Sequence, residues 1–210
     1  MFTLHLITDR TAAPDLLGAV GRALDGGVDW VQVREKSAPA QDLYETALGI
    51  GRLCRVRGAG LIVNDRVDVA LAAGANGVHL AARSLPVAAV RPLLPAGRLV
   101  GASVHSLAEA VAAEKAGADY VTFGSVFPSR TAGVAAGQGL NALAEVVRSV
   151  PIPVIAIGGI TEANLGDVLT TGCAGIAIIS AVLLNDDPAG AAYRLRSLMA
   201  GSHAKPVRSM

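Results

Sequence analysis

The sequence predicts an α/β chain closed into a single-domain (β/α)8 TIM barrel over residues 1–201, and three observations carry that prediction. Short apolar runs alternate with segments of helical periodicity, and eight such pairs fit along the 210 residues. A motif also recurs. Gly27-Val28-Asp29, Gly74-Ala75-Asn76, Gly117-Ala118-Asp119 and Gly172-Cys173-Ala174 each close a helix with glycine, where a left-handed C-cap suits it, and then enter a strand. These motifs precede strands two, four, six and eight, so the repeating unit is a pair of βα units of roughly 45 residues. Finally, within the stretch 150–183 one strand ends in Gly158-Gly159 and the next in Ser180. Backbone N–H groups at such junctions approach an anion closely, and the loops after strands seven and eight of a barrel are where phosphate sits. A doubly wound open sheet shows the same alternation, but no G-x-G-x-x-G follows the first strand, which disfavours its dinucleotide-binding form.

The first strand covers residues 4–7 and ends at Thr8-Asp9; Pro14 opens a helix to residue 24. Strand two, 28–33, runs into Arg34-Glu35-Lys36, and a helix takes 40–57. Strand three, 61–63, ends at Asn64-Asp65-Arg66, with a helix to residue 73; strand four is 77–80, with a helix from Pro86. Strand five, 99–102, reaches Ser103. Ser106 then reads as the N-cap of a helix to residue 116, with Glu109 completing a capping box. Strand six, 120–123, is followed by the longest irregular segment, 124–139, which reads as an active-site lid. Helix six covers 140–149, strand seven 154–157 with a helix from Thr161, strand eight 176–179, and a last helix runs 188–199. Residues 202–210 read as a frayed tail.

About half of the residues are apolar and 3% aromatic, a composition that suits buried parallel strands. A net charge of +1 argues against nucleic acid or a membrane surface as a partner. There is no basic-then-apolar leader and no charge-free run of the ~20 residues a spanning helix needs. Cys54 and Cys173 are too few and too far apart for a disulfide framework or a cysteine metal motif, so a reduced, cytoplasmic protein is expected. Apolar faces on the outer helices are compatible with a homodimer.

Polar residues just past strand C-termini converge on one face of a barrel, where catalysis occurs. Here they are Asp9, Gln32, Arg34, Lys36, Asn64, Asp65, His79, Ser103, His105, Ser125 and Ser180, beside Gly158 and Gly159. Two cations, Arg34 and Lys36, near a Gly-Gly loop point to an anionic ligand; the alternative is solvated loop charge. Asn64-Asp65 either holds Mg²⁺ through a carboxylate or caps the following helix. His79, in an apolar strand, reads as a hydrogen-bonded core histidine. His105 has a structural reading too, and Ser125 lacks an obvious His–Asp partner for a nucleophile.

These residues carry a family resemblance over nearly the whole chain. LHLITDR, VDWVQVREKS, VNDRVDVALAAGANGVHL, VGASVHSLAEAVAAEKAGADYVTFGSVFPS, IPVIAIGGIT and GIAIISAV together resemble the thiamine phosphate synthase/TenI family. The resemblance implies a barrel that binds a thiazole phosphate in thiamine biosynthesis, with the phosphate on Gly158, Gly159 and the Ile179-Ser180 turn. For the synthase branch it implies diphosphate and Mg²⁺ ligands at Arg34, Lys36, Asn64, Asp65 and Ser103. Two pieces of that pattern differ. Ala81-Ala82-Arg83-Ser84 stands where G-Q-E-D supplies a second carboxylate, and Pro128-Ser129-Arg130-Thr131-Ala132 stands where P-T-x-T-K supplies a lysine. Arg83 and Arg130 are candidates to take over those charges. The TenI branch aromatises a thiazole phosphate carboxylate without metal, but its histidine in F-G-H is here Ser125, so His105, His79 or a different group would serve as acid and base. The reading taken forward is a TenI-like thiazole tautomerase without cofactor, with His105, Ser125 and Arg34 as catalytic candidates. The alternatives are a Mg²⁺-dependent synthase with Asp65 on the metal, and a non-catalytic binder of the phosphorylated thiazole.

Overall fold

A computed structural model describes residues 1–129, 133–208 and 210. Arg130, Thr131 and Ala132, and with them the candidate replacement of the family's lysine, lie outside the described residues. Eight parallel strands close into a barrel in the order β1 to β8, each hydrogen-bonded to the next and β8 to β1. They are β1 Thr3–Ile7, β2 Trp30–Val33, β3 Gly60–Asn64, β4 Gly77–Leu80, β5 Leu99–Val104, β6 Tyr120–Phe123, β7 Val154–Ile157 and β8 Gly175–Ile178. The helices are α1 Leu16–Asp25, α2 Ala40–Arg57, α3 Val67–Ala72, α4 Val87–Val90, α5 Leu107–Lys115, α6 Gly139–Ser149, α7 Leu165–Thr170, α8 Ser180–Leu183 and α9 Pro188–Ala200.

Side-chain alternation on each strand divides the core in two. Outward-facing Val, Leu and Ala pack under the helices as one large cluster. The second cluster, Ile7, Tyr120, Ile155, Ala174 and Ala177, is small. His5, Gln32, Asn64, His79 and Thr122 are also buried, in register positions that alternate with the outward-facing residues, so the barrel interior is unusually polar. Space for its aromatic rings comes from missing side chains. A Cβ at Gly60 would stand 2.1 Å from the Trp30 ring, and one at Gly101 would stand 2.2 Å from the Tyr120 ring.

The recurring motif has a geometric meaning. In its first three copies the Asp or Asn accepts a hydrogen bond from the backbone N–H of the second residue of the preceding odd-numbered strand: Leu4 N to Asp29 (2.7 Å), Leu61 N to Asn76 (2.8 Å) and Val100 N to Asp119 (2.6 Å). Ala174 occupies the fourth copy and has no such group. Asp29 also accepts from Arg196 on α9 at 3.0 Å, which ties the last helix to the first strand. Replacing Asp29 with Ala strands the Leu4 N–H and one face of the guanidinium. The expected cost is about 2 kcal/mol, or about 6 °C in the melting temperature for a chain of this size, read by calorimetry. An unchanged melting temperature would remove the motif's structural role.

Several elements differ from expectation for local reasons. α1 begins at Leu16 because Asp15 caps it, accepting from Gly18 N at 3.1 Å. α7 begins at Leu165 rather than at Thr161, since Asn164 accepts from Thr161 N at 2.9 Å and donates to Gly159 O at 2.9 Å, stapling the loop ahead of the helix. Glu109 accepts from His105 N (2.7 Å), one residue before the Ser106 cap. The tail is held at residue 207, whose N–H donates to Gly172 O at 2.9 Å.

Candidate active site

A cavity of about 640 Å³ opens at the C-terminal ends of the strands. From the predicted set it gathers Arg34, Asn64, Ser103, His105, Ser125, Gly158, Gly159, Ile179 and Ser180, together with Gln32 and His79. Lys36 and Asp65 do not line it; both are exposed, Asp65 beside the lining residues Asn64 and Ala81. Thr122 also lines it and was missed by sequence reasoning; the signal was a hydroxyl in an otherwise apolar strand.

One side of the cavity is built by β7 and β8. Gly158 and Gly159 adopt φ of +99° and +65°, a region where a Cβ is strained. A side chain there also has no room: Cβ atoms would lie 2.5 Å from Ser125 Cβ and 2.4 Å from Pro128 O. Among the described residues, the N–H groups of Gly158, Gly159, Ser180 and Ala181 have no hydrogen-bond acceptor. The start of the segment after β6 folds down onto this corner. Val126 N donates to Ile157 O (2.9 Å) and Phe127 N to Gly158 O (3.1 Å), so these two residues of the expected lid are bonded to the end of β7 and the first of the glycines.

The opposite side belongs to β2, β3 and β4. Gln32 donates to Asn64 Oδ1 at 3.0 Å, and Asn64 donates to Asp65 Oδ2 at 2.7 Å. Asp65 takes φ +62°, uncommon outside glycine, and its other carboxylate oxygen accepts from Ser84 Oγ. It does not cap α3: Arg66 holds that position, with no side-chain cap bond. That leaves the carboxylate on the rim. Arg34 is partly buried, and its guanidinium has no ion pair among the described residues. Glu35 is spent elsewhere, accepting from Thr8 Oγ1 at 2.7 Å and from Arg10 N at 3.2 Å.

The histidines differ in kind. His105 Nδ1 lies 2.5 Å from Gly124 O; a carbonyl only accepts, so Nδ1 carries a hydrogen and donates it there. His79 is 2% exposed and lies between Tyr120 and Ser103, the core histidine that its strand position suggests. Burial lowers its pKa to about 4, with Asp65 opposing the shift and Arg34 adding to it. Burial also lowers His5, to about 3, helped by His79. Both rings are therefore neutral in the folded protein but take up protons below pH ~6.5 when it unfolds. Because the unfolded state then binds more protons, stability is full above that pH and falls as the solution is acidified. Between pH 7 and 5 the two together cost roughly 4 kcal/mol, readable as a falling melting temperature. A flat profile would contradict the buried, neutral assignment.

The comparison with known sequences decides what this cavity belongs to. A family profile described as thiamine monophosphate synthase matches residues 4–182. The chain belongs to the thiamine monophosphate synthase family. A thiamine-phosphate synthase of Pyrococcus furiosus is 45% identical over 196 residues, covering 93% of this chain and 94% of that one. One of Methanoculleus marisnigri is 44% identical over 210 residues, covering 97% and 98%. A solved structure of thiamine phosphate pyrophosphorylase from Pyrococcus furiosus superposes with a TM-score of 0.89 at 44% identity, covering 95% of this chain and 96% of that one. As a member of this family the chain is an enzyme. The expectation of a TenI-like tautomerase is overturned, because relatives matched over nearly their full length carry the synthase name. That expectation leaned on the departures at Ser84 and Ala132; Ser84 sits in the turn after β4, where side chains change without disturbing the barrel, and Ala132 lies outside the described residues.

Proposed function

We propose that this enzyme is a thiamine-phosphate synthase, coupling an aminopyrimidine carried on a diphosphate to a thiazole phosphate. In that reaction the thiazole nitrogen forms a bond to the pyrimidine methylene carbon. The bond from that carbon to the diphosphate oxygen breaks, and diphosphate leaves with the electron pair. One observation supports this above the others: a single cavity holds two separate anion-attracting ends, the Gly158, Gly159 and Ser180 amides on one side and the Arg34 guanidinium on the other. A ligand pair carrying phosphate and diphosphate needs both ends. The synthase names of full-length relatives agree with this reading.

The donor set fits a Mg²⁺ ion of a modest kind. Mg²⁺ is commonly held by one or two carboxylates plus substrate phosphate oxygens and water. Asp65 offers one carboxylate on the rim beside Asn64, and Ser84 adds a hydroxyl next to it. Bound there, the ion would neutralise charge building on the departing diphosphate. The chain's own residues do the rest. The glycine amides and Ser180 hold the thiazole phosphate, Arg34 draws the diphosphate, and Ile157 and Ile179 supply apolar walls for the rings.

The deciding experiment incubates the purified protein with aminopyrimidine diphosphate, thiazole phosphate and Mg²⁺, following thiamine phosphate and diphosphate together. Equal amounts of both products are expected. Binding of the thiazole phosphate without product would reject the synthase reading.

A further inference from the structure

Tyr120 is 1% exposed, and among the described residues its hydroxyl has one hydrogen-bond partner, His79 Nδ1 at 3.1 Å. The neighbouring His5, whose ring centroid lies 6.2 Å from that of Tyr120, has its Nε2 engaged with Thr3 Oγ1 at 3.1 Å. A hydroxyl that merely accepted from His79 would leave its own proton buried without a partner, a costly arrangement. Tyr120 therefore donates, and Nδ1 accepts. A neutral imidazole has one donor and one acceptor nitrogen, so the hydrogen sits on Nε2. That nitrogen faces Ser103 Oγ at 2.9 Å; Thr122 Oγ1 is farther, at 3.4 Å from both. Ser103 thus receives a hydrogen bond from the barrel interior, and its own proton is left to point into the cavity that it lines.

We propose that Tyr120 and His79 are positioning residues that hold the Ser103 hydroxyl as a hydrogen-bond donor toward a lone pair on the substrate. Orientation is the point. Without the relay, Ser103 could rotate to donate to His79 and would offer the substrate a lone pair instead of a proton. The inference rests on the synthase reading for its substrate but not for its geometry.

Two measurements test it. Two-bond proton–nitrogen NMR of the ligand-free wild-type protein should find His79 protonated on Nε2 and bare on Nδ1; protonation on Nδ1 would overturn the relay whatever the protein catalyses. The second is a kinetic cycle. His79→Leu should lower kcat about tenfold to a hundredfold, whereas His79→Gln, whose amide can still donate to Ser103, should recover most of the loss. In a Ser103→Ala background His79→Leu should have almost no further effect. Full additivity of the two substitutions, or no recovery with Gln, would leave His79 as packing alone and reject the proposal. Absence of turnover in the wild-type protein would reject the synthase function, and the NMR result would still decide the relay.

Discussion

Gly159→Asp is expected to abolish binding of the phosphorylated thiazole. Three costs act together at this position. The residue sits at φ +65°, which costs a side-chain-bearing residue about 1–2 kcal/mol. A Cβ would lie 2.4 Å from Pro128 O, so the overhanging segment has to move. A carboxylate about 4 Å from a bound phosphate adds repulsion on the order of 4 kcal/mol near a protein surface. Together these predict an affinity loss of more than about a hundredfold in calorimetry. Gly159→Ala carries the first two costs without the charge and should retain part of the affinity. If Asp and Ala behave alike, strain alone is at work; if neither weakens binding, the phosphate does not sit on this corner.

Arg34→Ala is the second large effect, and it should fall on turnover. The guanidinium has no ion pair to lose among the described residues, so its removal leaves no stranded partner and the fold should be intact. Its backbone N–H still donates to Thr8 Oγ1 at 2.9 Å, which keeps the loop after β2 in place. What is lost is a fixed positive charge where the leaving group gathers negative charge. Removing one such preorganised donor commonly costs about 10²–10³ in kcat. The expected result is a kcat lower by about that factor, with an unchanged melting temperature and unchanged affinity for the thiazole phosphate at the far side. A change smaller than about threefold would mean that the diphosphate lies elsewhere.

The barrel was legible because its strands are short apolar runs alternating with helical segments, and a glycine motif marks where strands two, four, six and eight begin. Helix starts were less legible. The stretch after Gly159 has helical composition, yet Asn164 diverts its first turn into a staple that depends on a contact with the glycine loop. Strand alternation placed Arg34 in the cavity, but it could not be carried to Lys36, since β2 ends at Val33 and the chain turns away. The relay inside the barrel was not legible in this way. It depends on register across three strands, His79 opposite Gly101 and Gly101 opposite Tyr120, and on the absence of a side chain at Gly101. The branch of the family was misjudged for a related reason: single loop departures were weighed above similarity spread across all eight strands.

The ring that fills the space over Gly60 has a practical consequence. Trp30 is the chain's sole tryptophan, it opens β2 at the end of the barrel away from the cavity, and it stacks on His5 with ring centroids 6.1 Å apart. Nature has thus supplied one fluorophore, with an imidazole against its face. Its emission should report the integrity of the barrel floor and stay silent while ligands come and go at the mouth. Unfolding and catalysis can therefore be followed optically in the same sample without one signal contaminating the other.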